Sequence, residues 1–564
     1  MVAVLGTLGW FALPVLSGEY NEGFQSTIVM NAEALARGGS RATDMLYALD
    51  NDFFWISRFG VSLLLAALLK IGFPAVIGFR LIMGLSLVAL VWANAAILVR
   101  HYGVHPVFAC LPALLFPGLF ESSWFFNDDV LSAALSSVAL ALFWARKSLP
   151  ATAVSGVLLG LAVAARTDAV LLAPAVAMLM WFELPDWRAR FSHALVAAPI
   201  AAAVPVLLYG AWGLNFFDIL PLTARATAAW ARTGSVVHMA TPVLKGFAPP
   251  GMLAMALGTV SIVVGRRWRE IMLCLVAPVI YAAAYGRMLS EVRYLLPLTP
   301  FFGILMVEGA HVIWRVGAGK RRVLIAAFAV TLLLCFAPPV MLPDRRLYFL
   351  STDNDMTRPS VGRFWSPILG KAWNRALAEG YDAASDAILA AARPSGEGVV
   401  VSTRWTPDRT VELVLREHGF QGTPATTPGS CDAIGEMFTR GDDHVLHLRP
   451  HIPMIPTERT AVTWRALGVE CLQALGKAAS DHVLVVGWMQ ISEPPPGLSA
   501  PGVRTLAAPA VDINHWARFI LGKSYGYYVA SARIDAVPAL LAAPLNEQER
   551  MGADAAIAGR AKLR

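Results

Sequence analysis

The chain is 564 residues long, 56% hydrophobic and only 15% charged, with a formal net charge of +7 and a mean hydropathy of +0.56. A soluble protein of this size would carry roughly 25% charged residues, and the apolar residues here gather into runs near the ~20 needed to cross a bilayer. A soluble globular protein is thereby excluded. The Arg residues lie mostly in short loops between apolar runs and read as topology signals and anionic-headgroup contacts, not as a nucleic-acid surface, for which no motif is present.

The first run, Val2 to Leu16, lacks a basic leader, and acids rather than a small-residue cleavage site follow it, so it reads as a retained span. Directly after it, LPVLSGEYNEGFQST places Glu19, Asn21 and Glu22 where a span meets water. Ile28 to Phe54 carries a helical pattern ending in DNDFFW and is expected to lie along the surface. VSLLLAALLKIGF (Val61 to Phe73) is short and holds Lys70. Making it cross would invert the sign of later loops, so it is expected as an interfacial or re-entrant helix on the outer face. The basic clusters are Arg100-His101, Arg146-Lys147, Trp187 to Arg190, Gly265 to Arg269, and Arg315 through Arg322. With all of them cytoplasmic, spans fall near 1–17, 78–99, 106–121, 130–145, 151–165, 169–184, 192–214, 247–264, 271–286, 294–314 and 323–341. That makes about eleven, with the N-terminus inside. Cys110, Cys274 and Cys335 fall in these apolar runs as core thiols.

Past about Leu342 the composition becomes mixed and charged, so residues 1–341 are expected to form a transmembrane module and 342–564 a soluble extracytoplasmic α/β domain. Strands are expected at Val399–Ser402, Asp443–Pro450, Asp481–Met489 and Tyr525–Ile534, with helices between them. No Gly-rich phosphate loop accompanies the strand at VVVSTRWTPDRT. His444 and His447 alternate with apolar residues as in a strand, not as zinc ligands. Trp405, Trp488 and Trp516 could stack on sugars, although core positions are their default. If the domain is extracytoplasmic, Cys431 and Cys471 could form a disulfide. SEPPPGLSAPG (Ser492–Gly502) is a Pro-rich surface loop, and the last residues read as frayed or disordered.

On this topology every notable acid ahead of the tail falls on the outer side. Glu19, Glu22, Asp44, Asp50 and Asp52 lie in the first outer loop, and Glu121, Asp128 and Asp129 in the second. Arg166 and Asp168 form the third, and Arg287, Glu291 and Arg293 lie in the fifth. Ionisable groups at membrane depth are costly and usually functional, so acids abutting spans with Arg beside them suggest a polar cavity open to the outer side. An enclosed carboxylate can act as general base on a hydroxyl, and a neighbouring Arg can hold a phosphate leaving group and absorb its growing charge. This suits a sugar on a polyprenyl phosphate, whose tail stays in the bilayer, and one base with one leaving group implies inversion. No cofactor is demanded. Asp128-Asp129 is compatible with a divalent cation, but no His- or Cys-rich spacing appears, and no metal site is assigned.

Four segments carry a family resemblance: EYNEGF (Glu19–Phe24) after the first span, NDDVLSAALSSVALALFWARK (Asn127–Lys147), GVLLGLAVAARTDAVLLAPAVAML (Gly156–Leu179), and EVRYLLPLTPF (Glu291–Phe301) opening a late span. In order and spacing they resemble the GT-C superfamily of integral membrane glycosyltransferases, which includes the aminoarabinose transferases of lipid A and the protein O-mannosyltransferases. The resemblance covers about residues 1–340. It implies a polytopic α-helical membrane protein of the bacterial inner membrane, with its active site and C-terminal domain on the periplasmic side. Its partners would be membrane lipids, a polyprenyl-phosphate-linked sugar donor, and a lipid, glycan or protein acceptor. The family's first-loop acid, a general base or, in the oligosaccharyltransferase branch, a metal ligand, carries over to Glu22 or to Glu19, because Asn21 stands where many relatives have Asp. Asp128 or Asp129 matches the second-loop acid that orients acceptor or donor. Arg293, followed by Tyr294, and Arg166, followed by Asp168, match positions near the lipid phosphate. Two other classes stay open: a transporter or flippase, whose repeated halves and midplane charges are not evident, and a non-catalytic glycan-lipid binder, consistent with Asn21.

Overall fold

The computed structural model describes residues 28–29, 32–33, 35–36, 59–114, 116, 128–211, 215–217, 249–285, 292–316, 351–354, 358–361, 386–387, 390, 399–402, 423–425, 438–440, 446–448, 482–490, 496–507, 525–533 and 536. The chain divides into two compact units, Met1–Gly18 with Ile56–Lys371, and Glu19–Trp55 with Ala372–Arg564.

The first unit is helical. Its longer helices are α1 (Phe59–Lys70), α2 (Ala75–Tyr102), α3 (Asp128–Ala145), α4 (Leu149–Ala165), α5 (Ala173–Glu183), α6 (Trp187–Ala211), α7 (Pro249–Val264), α8 (Ala277–Tyr285) and α9 (Thr299–Val316), and four-residue helices lie at Pro106–Ala109, Leu111–Leu114 and Trp268–Ile271. Proline marks several starts, where its missing N–H removes no helical bond: Pro74 caps α2, and α4 and α5 carry Pro in their first turn. Gly103, at φ 63°, closes α2 and returns its N–H to the Leu98 carbonyl, a left-handed cap that a side chain would resist.

Three stretches among the described residues are long and apolar enough to cross a membrane: Ile77–Tyr102, Trp187–Ala211 and Tyr294–Arg315. Gly60–Lys70, Asp129–Ala145, Leu149–Ala165 and Leu253–Val264 are shorter apolar helices. Large apolar side chains stand outward, such as Leu85 at 61% exposure and Leu207 at 70%, as on a surface that lipid covers. Of the expected spans, 169–184 begins as a 3-10 segment, Thr167–Leu172, before α5. That at 271–286 contains a π-helical turn, Met272–Val276, ahead of α8. Those at 1–17 and 323–341 lie outside the described residues. Cys110 and Cys274 are buried free thiols; Cys335 lies outside.

Small residues let the helices close. A Cβ on Gly156 would stand 3.0 Å from the Ala197 carbonyl oxygen, and one on Gly160 would stand 2.6 Å from Val204 Cβ, so α4 meets α6 along a small-xxx-small stripe. Gly258 and Gly309 do the same for α7 and α9, where added Cβ atoms would overlap the Leu305 and Ala254 carbonyls. Hydroxyls tie α3 to the antiparallel α4: Ser132 donates to the Ala162 carbonyl and Ser155 to the Ala139 carbonyl, each at 3.1 Å.

The His101 ring of α2 packs tilted against that of Trp144 of α3, ring centroids 4.7 Å apart, which levels these two helix ends. At ~1.5 Å per residue α2 then extends about 15 Å past the Asp129 end of α3. Leu65 and Leu68 of α1 pack near Gly78 on this protruding part, and Gly60 abuts Ala165 at the C-terminus of α4. Thus α1 sits at the Asp129 end of the unit. Strands β1 (Ser351–Asn354) and β2 (Arg358–Val361) form an antiparallel ladder farther along the chain.

The second unit holds a five-stranded mixed sheet. Its strands are β3 (Val399–Ser402), β4 (Thr423–Ala425), β7 (His482–Gln490), β8 (Val503–Ala507) and β9 (Tyr525–Arg533), in the order β4-β3-β7-β9-β8. β3 runs parallel to β4 and β7, while β9 runs antiparallel to β7 and β8. Its centre is the nine-residue register His482↔Arg533 to Gln490↔Tyr525, and β9 buries Tyr528, Val529, Ala530 and Ala532. β5 (Phe438–Arg440) and β6 (Leu446–Leu448) pair antiparallel, with His447 opposite Thr439. The four expected strand positions therefore coincide with observed strands. Helical residues near position 28 bury Ile28, Val29, Ala32 and Leu35. Trp405, Trp516, Cys431, Cys471 and the last residues lie outside the described set.

Candidate active site

The helix α4 ends at Ala165, and Arg166 leaves it with extended backbone (φ −150°, ψ 118°) while its N–H still reaches the Ala162 carbonyl at 2.8 Å. The chain re-enters a 3-10 turn at once, with Asp168 in its first turn. This step brings the two side chains together. Arg166 Nε donates to both Asp168 carboxylate oxygens at 3.0 and 3.1 Å, and Nη2 donates to Oδ2 at 2.6 Å. On its other edge, Arg166 Nη1 pairs with Asp129 Oδ1 from the first turn of α3. The N-terminus of α3 is itself favourable for a carboxylate. The guanidinium lies over the Tyr294 ring, 4.9 Å from its centroid. Arg166 and Asp129 are 6% and 3% exposed, while the Asp168 side chain, at 18%, is the more open acid. Burying these charges is costly, and only such multiple charge-assisted contacts make the arrangement tenable.

Tyr294 belongs to a 3-10 segment, Val292–Leu298, that leads into α9. Its carbonyl accepts a hydrogen bond from the hydroxyl of Tyr281 on α8, at 3.0 Å. Tyr281 gave no sequence signal: within APVIYAAAY it reads as one more apolar-run residue. Asp129, Arg166, Asp168 and Tyr294 thus converge. The backbones of Asp128 and Arg293 adjoin this cluster in sequence, next to Asp129 and Tyr294, while their side chains lie outside the described residues, as do Glu19, Asn21 and Glu22.

A second charged cluster occupies the other end of the same helices. Trp144, fifteen residues beyond Asp129 on α3 and so about 22 Å away, donates from Nε1 to Glu183 at 3.1 Å. Glu183 also pairs with Lys147 at 2.5 Å and Arg269 at 3.1 Å. Glu270 takes Arg269 at 2.7 Å and Arg267 at 3.0 Å, and Arg267 reaches Glu308 of α9 at 2.8 Å. Burial alone would push the Glu270 carboxyl upward, but the Arg267 hydrogen bond and the Arg269 charge hold it below the usual carboxylate range. The expectation that every notable acid lies on the outer side is corrected here: Glu183, Glu270 and Glu308 sit among the basic residues of the opposite end. There Lys147, Arg267 and Arg269 neutralise them, so these bases serve as ion-pair partners as well as topology signals. Among the described residues, no group of three or more His, Cys, Asp and Glu is placed to hold a metal ion.

Neither a protein-family model nor a curated protein matches the sequence. Among solved structures, the chain is similar to two crystal structures of ArnT from Cupriavidus metallidurans. The form bound to undecaprenyl phosphate superposes with a TM-score of 0.53 at 14% identity, over 94% of this chain and 97% of that one. The apo form gives 0.52 at 13% identity, over 96% and 98%. The chain therefore shares the fold of these ArnT structures.

Proposed function

We propose that the protein is a lipid-linked sugar transferase that moves a sugar from a polyprenyl-phosphate donor to a lipid, glycan or protein acceptor, with inversion, at the outer face of the bacterial inner membrane. The observation that carries this reading is the convergence of Asp129, Arg166, Asp168 and Tyr294 at one end of a GT-C-like membrane bundle, the fold that ArnT uses with undecaprenyl phosphate bound.

The division of labour follows from who already holds whom. Arg166 is engaged by two carboxylates and a ring, so it stiffens the site and orients Asp129 and Asp168. Arg293, adjacent to Tyr294, takes the donor phosphate. Glu22, with Glu19 as its neighbour, takes the proton from the acceptor hydroxyl. The freed oxygen attacks the anomeric carbon from the face opposite the phosphate, and the bond from that carbon to the phosphate oxygen breaks. Its electron pair stays on the phosphate, where the Arg293 charge stabilises it. The products are an inverted glycoside and a polyprenyl phosphate.

The test is transfer by purified protein in proteoliposomes, using a panel of undecaprenyl-phosphate hexoses and pentoses, with the product's anomeric configuration read by NMR. Glu22→Gln is expected to lower turnover by about 10²-fold or more, the usual contribution of a general base, and Glu19→Gln by less. Unchanged turnover in both variants, or a retained configuration, overturns the mechanism. Movement of the lipid-linked sugar across the bilayer without a new glycosidic bond would replace it with a flippase.

A further inference from the structure

Tyr281 does something that packing alone does not require. The segment Val292–Leu298 is a 3-10 helix containing Pro297. In that geometry each carbonyl accepts from the N–H three residues ahead. For Tyr294 that residue is Pro297, which has no N–H. The Tyr294 residue is buried at 5% exposure, and a buried carbonyl must find a donor. The Tyr281 hydroxyl supplies one at 3.0 Å from a side chain that is itself 1% exposed. The same segment is held from the other side, where the Arg166 guanidinium covers the Tyr294 ring, and at its end, where the Thr299 hydroxyl donates to the Leu296 carbonyl at 2.5 Å. What Tyr281 fixes is the stretch of backbone immediately after Arg293.

We propose that Tyr281 is a positioning residue for donor binding: its hydroxyl stands in for the N–H that Pro297 lacks and so sets where Arg293 meets the donor phosphate. The role rests on the transferase reading above. Removing the hydroxyl withdraws that donor from the Tyr294 carbonyl and loosens the segment without touching any group that contacts substrate. One buried hydrogen bond of this kind corresponds to about a tenfold change in an equilibrium constant. Affinity for the phosphate-bearing lipid should therefore fall about tenfold in Tyr281→Phe, with donor KM rising in parallel and kcat little changed.

The experiment measures binding of undecaprenyl phosphate alone to purified protein in nanodiscs, for wild type, Tyr281→Phe, Arg293→Ala and the double variant. If Tyr281 acts through Arg293, the double variant binds as weakly as Arg293→Ala and no weaker. The decisive variant is Pro297→Ala, which restores an N–H at the 3-10 position. Combined with Tyr281→Phe, it should recover most of the lost affinity, an outcome that a general packing role for the ring would not give. Unchanged affinity in Tyr281→Phe, effects of Tyr281→Phe and Arg293→Ala that simply add, or absence of rescue by Pro297→Ala each overturn the role while leaving the transferase reading intact. A wild-type protein that does not bind undecaprenyl phosphate overturns that reading and takes this role with it.

Discussion

Replacing Arg166 by Met keeps most of the side chain's volume and removes its charge. Its guanidinium makes three hydrogen bonds to Asp168 and an ion pair with Asp129, and it covers Tyr294. Asp129 is 3% exposed, so the variant leaves a carboxylate out of water and without its guanidinium, with a second carboxylate nearby. Breaking a buried pair from one side costs about 3–5 kcal/mol. Asp129→Asn should cost less, about 1–3 kcal/mol, because Arg166 keeps its bidentate grip on Asp168. The double variant, Arg166→Met with Asp129→Asn, should be more stable than Arg166→Met alone, since an amide replaces the stranded charge. The assay is thermal unfolding in detergent micelles, followed through labelling of the buried Cys110 and Cys274 thiols. Arg166→Met should lower the midpoint by about 3–4 °C, with partial recovery in the double variant. A midpoint equal to that of wild type, or a double variant worse than either single one, would refute the idea that this clasp holds α3 to the end of α4.

At Gly309 an added Cβ meets the Ala254 carbonyl, so Gly309→Ala should lower the unfolding midpoint by separating α7 from α9, at a cost of about 1–3 kcal/mol. Gly210→Ala on α6, where a Cβ meets nothing within 4 Å, should be neutral or slightly stabilising; equal effects at both positions would contradict the packing argument. The Glu270 carboxyl is held below its ordinary range, so its stabilising contribution is present above the unfolded carboxylate value of about 4.3 and is lost as pH falls through the lower folded value. Melting curves from pH 7 to pH 3 should therefore show Glu270→Gln less stable than wild type at neutral pH, with the gap closing toward the acid end.

Much of the fold could be read from the sequence because bilayer chemistry writes in long words. Apolar runs such as those of α2 and α6 can be satisfied only as helices, and basic loop residues give the runs their sense. Interruptions were harder to read. The turn at Arg166, the 3-10 entry to α5 and the π turn before α8 all sit inside apolar stretches that read as continuous, because backbone irregularity leaves little trace in hydropathy. Within the site, Asp129, Arg166 and Asp168 stood out because charge beside a span is rare. Tyr281 did not, since its role depends on a proline sixteen residues later that removes one N–H, a relation visible only once the 3-10 segment and α8 lie side by side.

The two charged clusters also explain why charge counting alone misplaced the acids. At the Trp144 end, Glu183, Glu270 and Glu308 interlock with Lys147, Arg267 and Arg269, binding the end of α5, the middle of α9 and the short helix Trp268–Ile271 into a staple of balanced charge. Lys147 also follows the C-terminus of α3, where a cation is favoured, as Asp129 occupies its N-terminus, where an anion is. The same helices therefore carry complementary charge at both ends for local reasons of dipole and pairing, whatever the chemistry. Irregular backbone gathers at the Asp129 end in the extended Arg166 step, the 3-10 turn holding Asp168 and the Val292–Leu298 segment, while the other end has the π turn Met272–Val276 beside Glu270. Non-helical backbone at membrane depth survives only where protein or a polar cavity satisfies its groups. At the Asp129 end the pairing of Arg166 with Asp129 and Asp168 and the hydrogen bond from Tyr281 to the Tyr294 carbonyl meet that requirement.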